Sequence, residues 1–199
     1  MTAPLYGLLL AGGRSSRMQT DKAAIAYGRR PQLEQAFELL ASRVGLAFVS
    51  VRADQTRDRL RAAFPQIVDG ATGAGPIAGI IAAQARHPEA AWLVLACDLP
   101  LLDGATLDQL IAGRDAHRLA TAFRGVSEGL PEPLCAIYEP ASGGPILAHV
   151  ASGRDCPRKF LLAHEVRLLD PVHARALDNA NSPQDFEAMR AALAASGAS

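Results

Sequence analysis

The run Leu8-Leu9-Leu10, followed at once by Ala11-Gly12-Gly13, constrains this chain more than any other stretch. A short apolar run closed by glycines reads as a buried strand ending in a tight turn. Glycine accepts positive φ and lets a ligand come close to the backbone. Arg14, Arg17, Asp21 and Lys22 follow directly. Backbone amides in such a turn attract anions, and neighbouring cations strengthen the attraction. The stretch is therefore expected to bind a nucleoside triphosphate, with Arg17 as a two-pronged clamp and Lys22 as a compact charge. The competing reading is a strand-to-helix turn with solvated charges. The loop matches neither a Walker Gly-x4-Gly-Lys-Ser/Thr motif nor a Gly-x-Gly-x-x-Gly dinucleotide motif.

Strand and helix patterns alternate from there. Residues 5–10, 46–51, 67–69 and 91–96 read as strands. Helices are expected from Pro31, with Leu33, Phe37, Leu40 and Val44 on one face, over 54–64 with Leu60 and Phe64 on one face, over 77–86, and from Asp103 through Ala112. This alternation predicts a Rossmann-like three-layer αβα sandwich around a mostly parallel sheet. The second half is less regular. Strands are expected at 119–123 and 134–138, separated by a polar loop, 125–133, that contains Glu128 and Glu132. Helices near 143–151 and 157–163 and a strand at 165–169 follow. A final helix is capped by Ser182 and opened by Pro183.

Charge and cysteine usage narrow the function. Twenty basic and 20 acidic residues balance to a net charge of zero, which argues against a broad grip on nucleic acid or an acidic membrane. No apolar run approaches the roughly 20 residues of a membrane helix, and the N-terminus shows no signal-peptide pattern. Cys97, Cys135 and Cys156 are scattered without metal-ligand spacing and read as buried residues in a reducing cytoplasm. The five histidines form no nucleophile or zinc constellation and are expected at the surface or as satisfied core groups.

Three further places carry chemistry. Asp98 ends a buried strand, on the sheet edge where ligands bind, and can hold Mg²⁺ together with phosphate oxygens. It can equally serve as a turn or capping residue. Asp69 ends another strand on that edge and could accept the two donors of a guanine edge, though a turn role is as plausible from the residues alone. The segment Gly75-Pro76-Ile77-Ala78-Gly79 has small residues that let a helix approach the sheet or a ligand closely. The amides of Asn179 and Asn181 suit a heterocycle or a phosphate, with a loop-and-cap role as the alternative.

Together these residues resemble the molybdenum cofactor guanylyltransferase family, of the MobA type, within the nucleotide-diphospho-sugar transferase-like fold. The match runs through Leu10-Ala11-Gly12-Gly13-x-Ser15-x-Arg17-Met18-x-x-Asp21-Lys22, Asp69, Gly75-Pro76-Ile77-Ala78-Gly79, Cys97-Asp98-Leu99-Pro100 and Asn179-x-Asn181-Ser182-Pro183. The resemblance implies transfer of GMP from GTP to molybdopterin, with release of pyrophosphate and Mg²⁺ as cofactor. It implies that Leu10, Ala11, Gly12 and Gly13 wrap the nucleotide, that Lys22 meets the phosphates, that Asp69, Gly75 and Pro76 belong to the nucleotide site, and that Asp98 binds the metal. Asn179 and Asn181 then lie toward the molybdopterin. One domain is expected, with about 1–115 holding GTP and Mg²⁺ and about 116–195 the acceptor. Transient contact with proteins that deliver or accept the cofactor is a further expectation. Three departures stand out: Gln19 for a usual glycine, Ser50 or Arg52 where an asparagine often follows the second strand, and Pro131-Glu132-Pro133 in place of a His-Pro-Thr-like segment. A molybdopterin cytidylyltransferase, another small-molecule nucleotidyltransferase and a non-catalytic nucleotide-binding module are the alternatives.

Overall fold

The computed structural model describes residues 2–12, 22–25, 30–70, 75–125, 129–173 and 175–179, together with Asp185, Glu187 and 189–191. Seven strands form one sheet: β1 (Leu5–Leu10), β2 (Ala47–Arg52), β3 (Gln66–Asp69), β4 (Ala91–Ala96), β5 (Ala120–Arg124), β6 (Pro131–Tyr138) and β7 (Arg167–Leu169), in the order β3-β2-β1-β4-β6-β5-β7. All neighbouring pairs are parallel except those made by β6, which runs against both β4 and β5.

Two apolar layers sandwich the sheet because successive strand residues point to opposite faces. Leu9, Leu93 and Leu95 pack with Leu33 and Leu40 of α1 (Gln32–Ala41) and with Leu107 and Leu110 of α3 (Gly104–Ala112). On the other face Leu8, Trp92 and Val94 pack with Ile77 and Ile80 of α2 (Pro76–Arg86), Ile146 of α4 (Gly143–Ala151) and Phe160 of α5 (Pro157–Leu162). Every residue of β4 is buried, as its continuous apolar run requires for a strand covered on both sides. Cys97 and Cys135 are buried, while Cys156 is partly so.

Two expectations need correction. Residues 54–64 do not form an α-helix but two isolated 3-10 turns, Ala53–Gln55 and Arg61–Ala63. Leu60 and Phe64 still pack against the core, but between them the Arg61 side chain turns inward and the chain is drawn off a regular helical path. Glu132 does not lie in a loop either: β6 begins at Pro131. Two prolines fit there because the β4 pairing reaches only to Cys135, so beyond it β6 lacks a partner on that side among the described residues and needs no amide donor. The Ser182–Pro183 start of the last helix lies outside the described residues. Asp185 and Glu187 are helical.

Candidate active site

The strand order places a crevice. From β1 the chain moves one way, through β2 to β3, and then returns to the other side of β1 as β4. Ligands of open α/β sheets bind outside the carboxyl ends of the strands at such a reversal. Here that point lies between β1 and β4, whose ends align as Leu10↔Ala96. The Cys97 amide donates to the Leu10 carbonyl at 3.3 Å, and the Ala11 amide to the Ser50 carbonyl at 3.3 Å. Leu10, Ala11 and Gly12 are thus fixed beside Asp98, a half-buried residue in the turn after β4.

The carbonyls of this loop are held by arginines. Arg61, with only 2% of its side chain exposed, donates from Nε and Nη2 to the Ala11 carbonyl at 3.0 and 2.9 Å, and from Nη1 to Asp58 Oδ1 at 3.0 Å. Arg52, at the end of β2, donates from Nη1 to the Gly12 carbonyl and is gripped by both oxygens of Asp54 at 3.0 Å. A Cβ on Gly12 would lie 3.5 Å from Asp69 Oδ2 and 3.6 Å from both Arg52 Cγ and Gln55 Oε1. Asp69 therefore borders the loop, as its sequence position suggested. Burial, joined by the charge of Asp54 and opposed by Arg52, holds its carboxyl above the ordinary carboxylate range. Gly75 takes φ +59° and Pro76 starts α2, so the 75–76 turn enters the helix on this same edge.

On the far side of Asp98, β6 supplies Glu132. The pairing of β5 with β6 shifts between Ala122 and Phe123, which pair with Ala136 and Glu132. Such bulges re-aim side chains next to binding sites. Glu132 Oε1 accepts the Leu134 amide at 3.1 Å, and Arg158 Nη2 lies 3.3 Å from its Oε2. Burial first, and the nearby Asp98 charge besides, push the Glu132 carboxyl up, against the Leu134 amide and the Arg158 guanidinium. Glu132 was absent from the sequence-based site. Its signal was the departure Pro131-Glu132-Pro133, which read as loop chemistry.

The remaining expected site residues divide. Gly13, Arg17, Asn181 and the side chain of Lys22 lie outside the described residues. The Lys22–Ala24 turn is described. Its Ala23 is 1% exposed and shares an apolar cluster with Ala11, with Cys97 and Leu99 on either side of Asp98, and with Leu177. Asn179 is exposed two residues beyond Leu177. The segment before it is tied along α3: His173 Nδ1 lies 2.6 Å from Asp103 Oδ2 at the helix start, and Gln109 in its second half bonds the Asp170 carbonyl at 2.8 Å and the Val172 amide at 3.1 Å. His173 is thereby held at the start of α3, which follows the Asp98 turn. The histidines bring one correction. His149 is buried, and among the described residues its ring nitrogens lack a hydrogen bond of good geometry, the Cys156 backbone being the polar group that most favours its charge. It is not a surface residue, and its polar atoms are at best poorly satisfied.

Comparison with known proteins places the chain in a family and a fold. Residues 7–168 match the family model of the MobA-like NTP transferase domain. The chain is 31% identical over 201 residues to a molybdenum cofactor guanylyltransferase of Burkholderia vietnamiensis, covering 95% of this chain and 97% of that protein. It is 34% identical over 183 residues to a molybdenum cofactor biosynthesis bifunctional protein of Synechocystis, covering 92% of this chain and 53% of that protein, so it spans about half that relative's length. The fold superposes with a TM-score of 0.79 at 20% identity on the molybdopterin-guanine dinucleotide biosynthesis protein A of Archaeoglobus fulgidus, over 96% of this chain and 99% of that one. Among the described residues, no helix is long and apolar enough to cross a membrane.

Proposed function

The chain belongs to the MobA-like NTP transferase domain family, and from that premise we propose that it transfers GMP from GTP to molybdopterin, forming a guanine dinucleotide cofactor and releasing pyrophosphate. The observation that carries this reading is the convergence on one sheet edge of an arginine-held loop after β1 and the acidic residue Asp98 after the adjacent β4. Asp69, at the end of β3, and Asp98, in the turn after β4, belong to strands three positions apart in the sheet. Strand spacing makes that about 14 Å along the edge, a span that suits a nucleotide with its base toward Asp69 and its phosphates toward Asp98.

The residues fit Mg²⁺. Asp98 offers a hard carboxylate oxygen and Glu132 adds negative charge beside it, a donor set for an ion that takes one or two carboxylates and fills its shell with phosphate oxygens and water. When bound, the ion would offset the repulsion between the two phosphate groups that must approach. At 4 Å, two unit charges at an effective dielectric of 20 repel by about 4 kcal/mol. Lys22 and Arg17 are proposed to share that work from the glycine loop. The attacking phosphate is ionised near neutral pH, so the protein aligns the reactants and has no need of a strong general base. Asn179 and Asn181 are proposed to meet the pterin, with the strap from residue 170 onward setting their position.

The test is pyrophosphate release from GTP or CTP in the presence of molybdopterin and Mg²⁺, for the wild type and Asp98→Asn. GTP-dependent release that collapses in the variant without loss of folding is expected. Preference for CTP would end the guanylyl assignment, and unchanged Mg²⁺-dependent turnover in Asp98→Asn would remove Asp98 from the reaction.

A further inference from the structure

We propose that Arg52 is a positioning residue for the nucleotide loop, acting with Arg61 as a clamp on two consecutive loop carbonyls that presets the loop for its ligand. The proposal rests on the reading of Leu10, Ala11 and Gly12 as part of the nucleotide site. Arg61 takes the Ala11 carbonyl and Arg52 the Gly12 carbonyl, and both arginines come from the connection leaving β2. A trans peptide is planar, with its N–H opposite its C=O. Fixing the Ala11 carbonyl on Arg61 therefore turns the Gly12 amide away from the protein interior, and among the described residues that amide has no hydrogen-bond acceptor. A loop whose amides already face the ligand binds an anion without first ordering itself.

Arg52 is itself held on several sides. Asp54 forks its Nε and Nη2 at 3.0 Å, and Gln55 Oε1 accepts its backbone amide at 3.1 Å. With two donors on Asp54 and Nη1 on the loop, the guanidinium is committed to protein partners and does not need to reach a phosphate. Its side chain is 29% exposed, so replacing it leaves no large void in the core. Ser50 or Arg52 stands where the resembling family often has asparagine, and an asparagine at position 52 would be too short to span from the end of β2 to the Gly12 carbonyl while also gripping Asp54.

Asp54 makes the role testable. If Arg52 bound the triphosphate directly, removing the adjacent negative charge would leave it more available and tighten binding. If it positions the loop, freeing it from Asp54 loosens the clamp and weakens binding. The experiment titrates GTP with Mg²⁺ into the wild type, Arg52→Ala, Arg52→Lys and Asp54→Asn, with melting temperature and steady-state kinetics measured on each. Arg52→Ala is expected to raise Kd and KM for GTP about tenfold, the scale of one charge-assisted hydrogen bond. Its kcat should change by less than about twofold and its melting point little. Arg52→Lys should recover part of the loss, and Asp54→Asn should weaken binding severalfold. Unchanged GTP affinity in Arg52→Ala, or tighter binding in Asp54→Asn, would overturn the proposal. A wild type that prefers CTP would overturn the guanylyl reading alone, because the same comparison can then be made with CTP.

Discussion

Gly79→Ala is the sharpest test of how α2 reaches the site. An alanine methyl there would lie 2.5 Å from Ser50 Oγ, 2.8 Å from Leu10 Cδ2 and 3.2 Å from Ser50 Cβ. Ser50 is 2% exposed and sits in β2, so its Cβ cannot retreat without moving the strand. Leu10 can rotate, but it opens the nucleotide loop. Overpacking of this kind costs about 1–3 kcal/mol. Alanine in a helix returns about 1 kcal/mol of propensity. The expected net loss is therefore about 0–2 kcal/mol, read from urea unfolding at constant m-value. The clash with Ser50 Oγ should show as coupling. In the Ser50→Ala/Gly79→Ala pair that contact disappears, and about 1 kcal/mol of the Gly79→Ala cost should be recovered. Because Leu10 must shift, GTP binding should weaken in Gly79→Ala more than its stability loss alone accounts for. A Gly79→Ala protein that is about 1 kcal/mol more stable, with no coupling to Ser50 and unchanged GTP affinity, would refute the claim that α2 is pressed onto the β1–β2 ends through this glycine.

Three further outcomes follow from individual polar groups. Arg61→Met keeps the aliphatic stem but leaves the Ala11 carbonyl without either guanidinium donor, and should lower stability by about 1–3 kcal/mol in urea unfolding. His149→Leu removes two buried nitrogens that lack a well-formed hydrogen bond among the described residues and should raise stability by about 1 kcal/mol at neutral pH. Burial, and next the Arg154 charge, outweigh the Cys156 backbone and hold the His149 ring below its ordinary value of 6.5. The unfolded chain therefore takes up that proton first, and wild-type stability should fall as pH drops below about 6.5 while His149→Leu escapes this component. Asp103→Ala loses the cap that accepts the Thr106 amide at 2.8 Å, and should cost about 1 kcal/mol near neutral pH. Burial pushes the Asp103 carboxyl up, but Thr106 and His173 outweigh it and hold it below 3.8. The difference from wild type should therefore persist down to about that pH and close as the pH falls through the lower folded value, as acid unfolding curves would show.

What the sequence disclosed, and what it hid, divides by range. β4 was legible because all six of its residues are buried and all six are apolar. Asp98 was legible because it ends that run. Neither reading needs a partner from elsewhere in the chain. Arg61 is the opposite case. Between Leu60 and Phe64 its charge reads as the solvent face of a helix, yet it is buried against a carbonyl fifty positions away, and no periodicity registers so distant an acceptor. Glu132 was hidden by its two flanking prolines, which mark a loop anywhere except on the stretch of β6 that outruns β4. The role of Arg52 was half visible: Ser50 or Arg52 stood where the family often has asparagine, but the Gly12 carbonyl that Arg52 meets could not be seen. All three hidden residues are charged groups on the sheet edge that holds Leu10 and Asp98, paired with partners remote in sequence. A binding edge must keep charge partly out of water to make it selective for a ligand, and that requires partners drawn from separate strands. The features that make the edge useful are therefore the ones local patterning is least able to report.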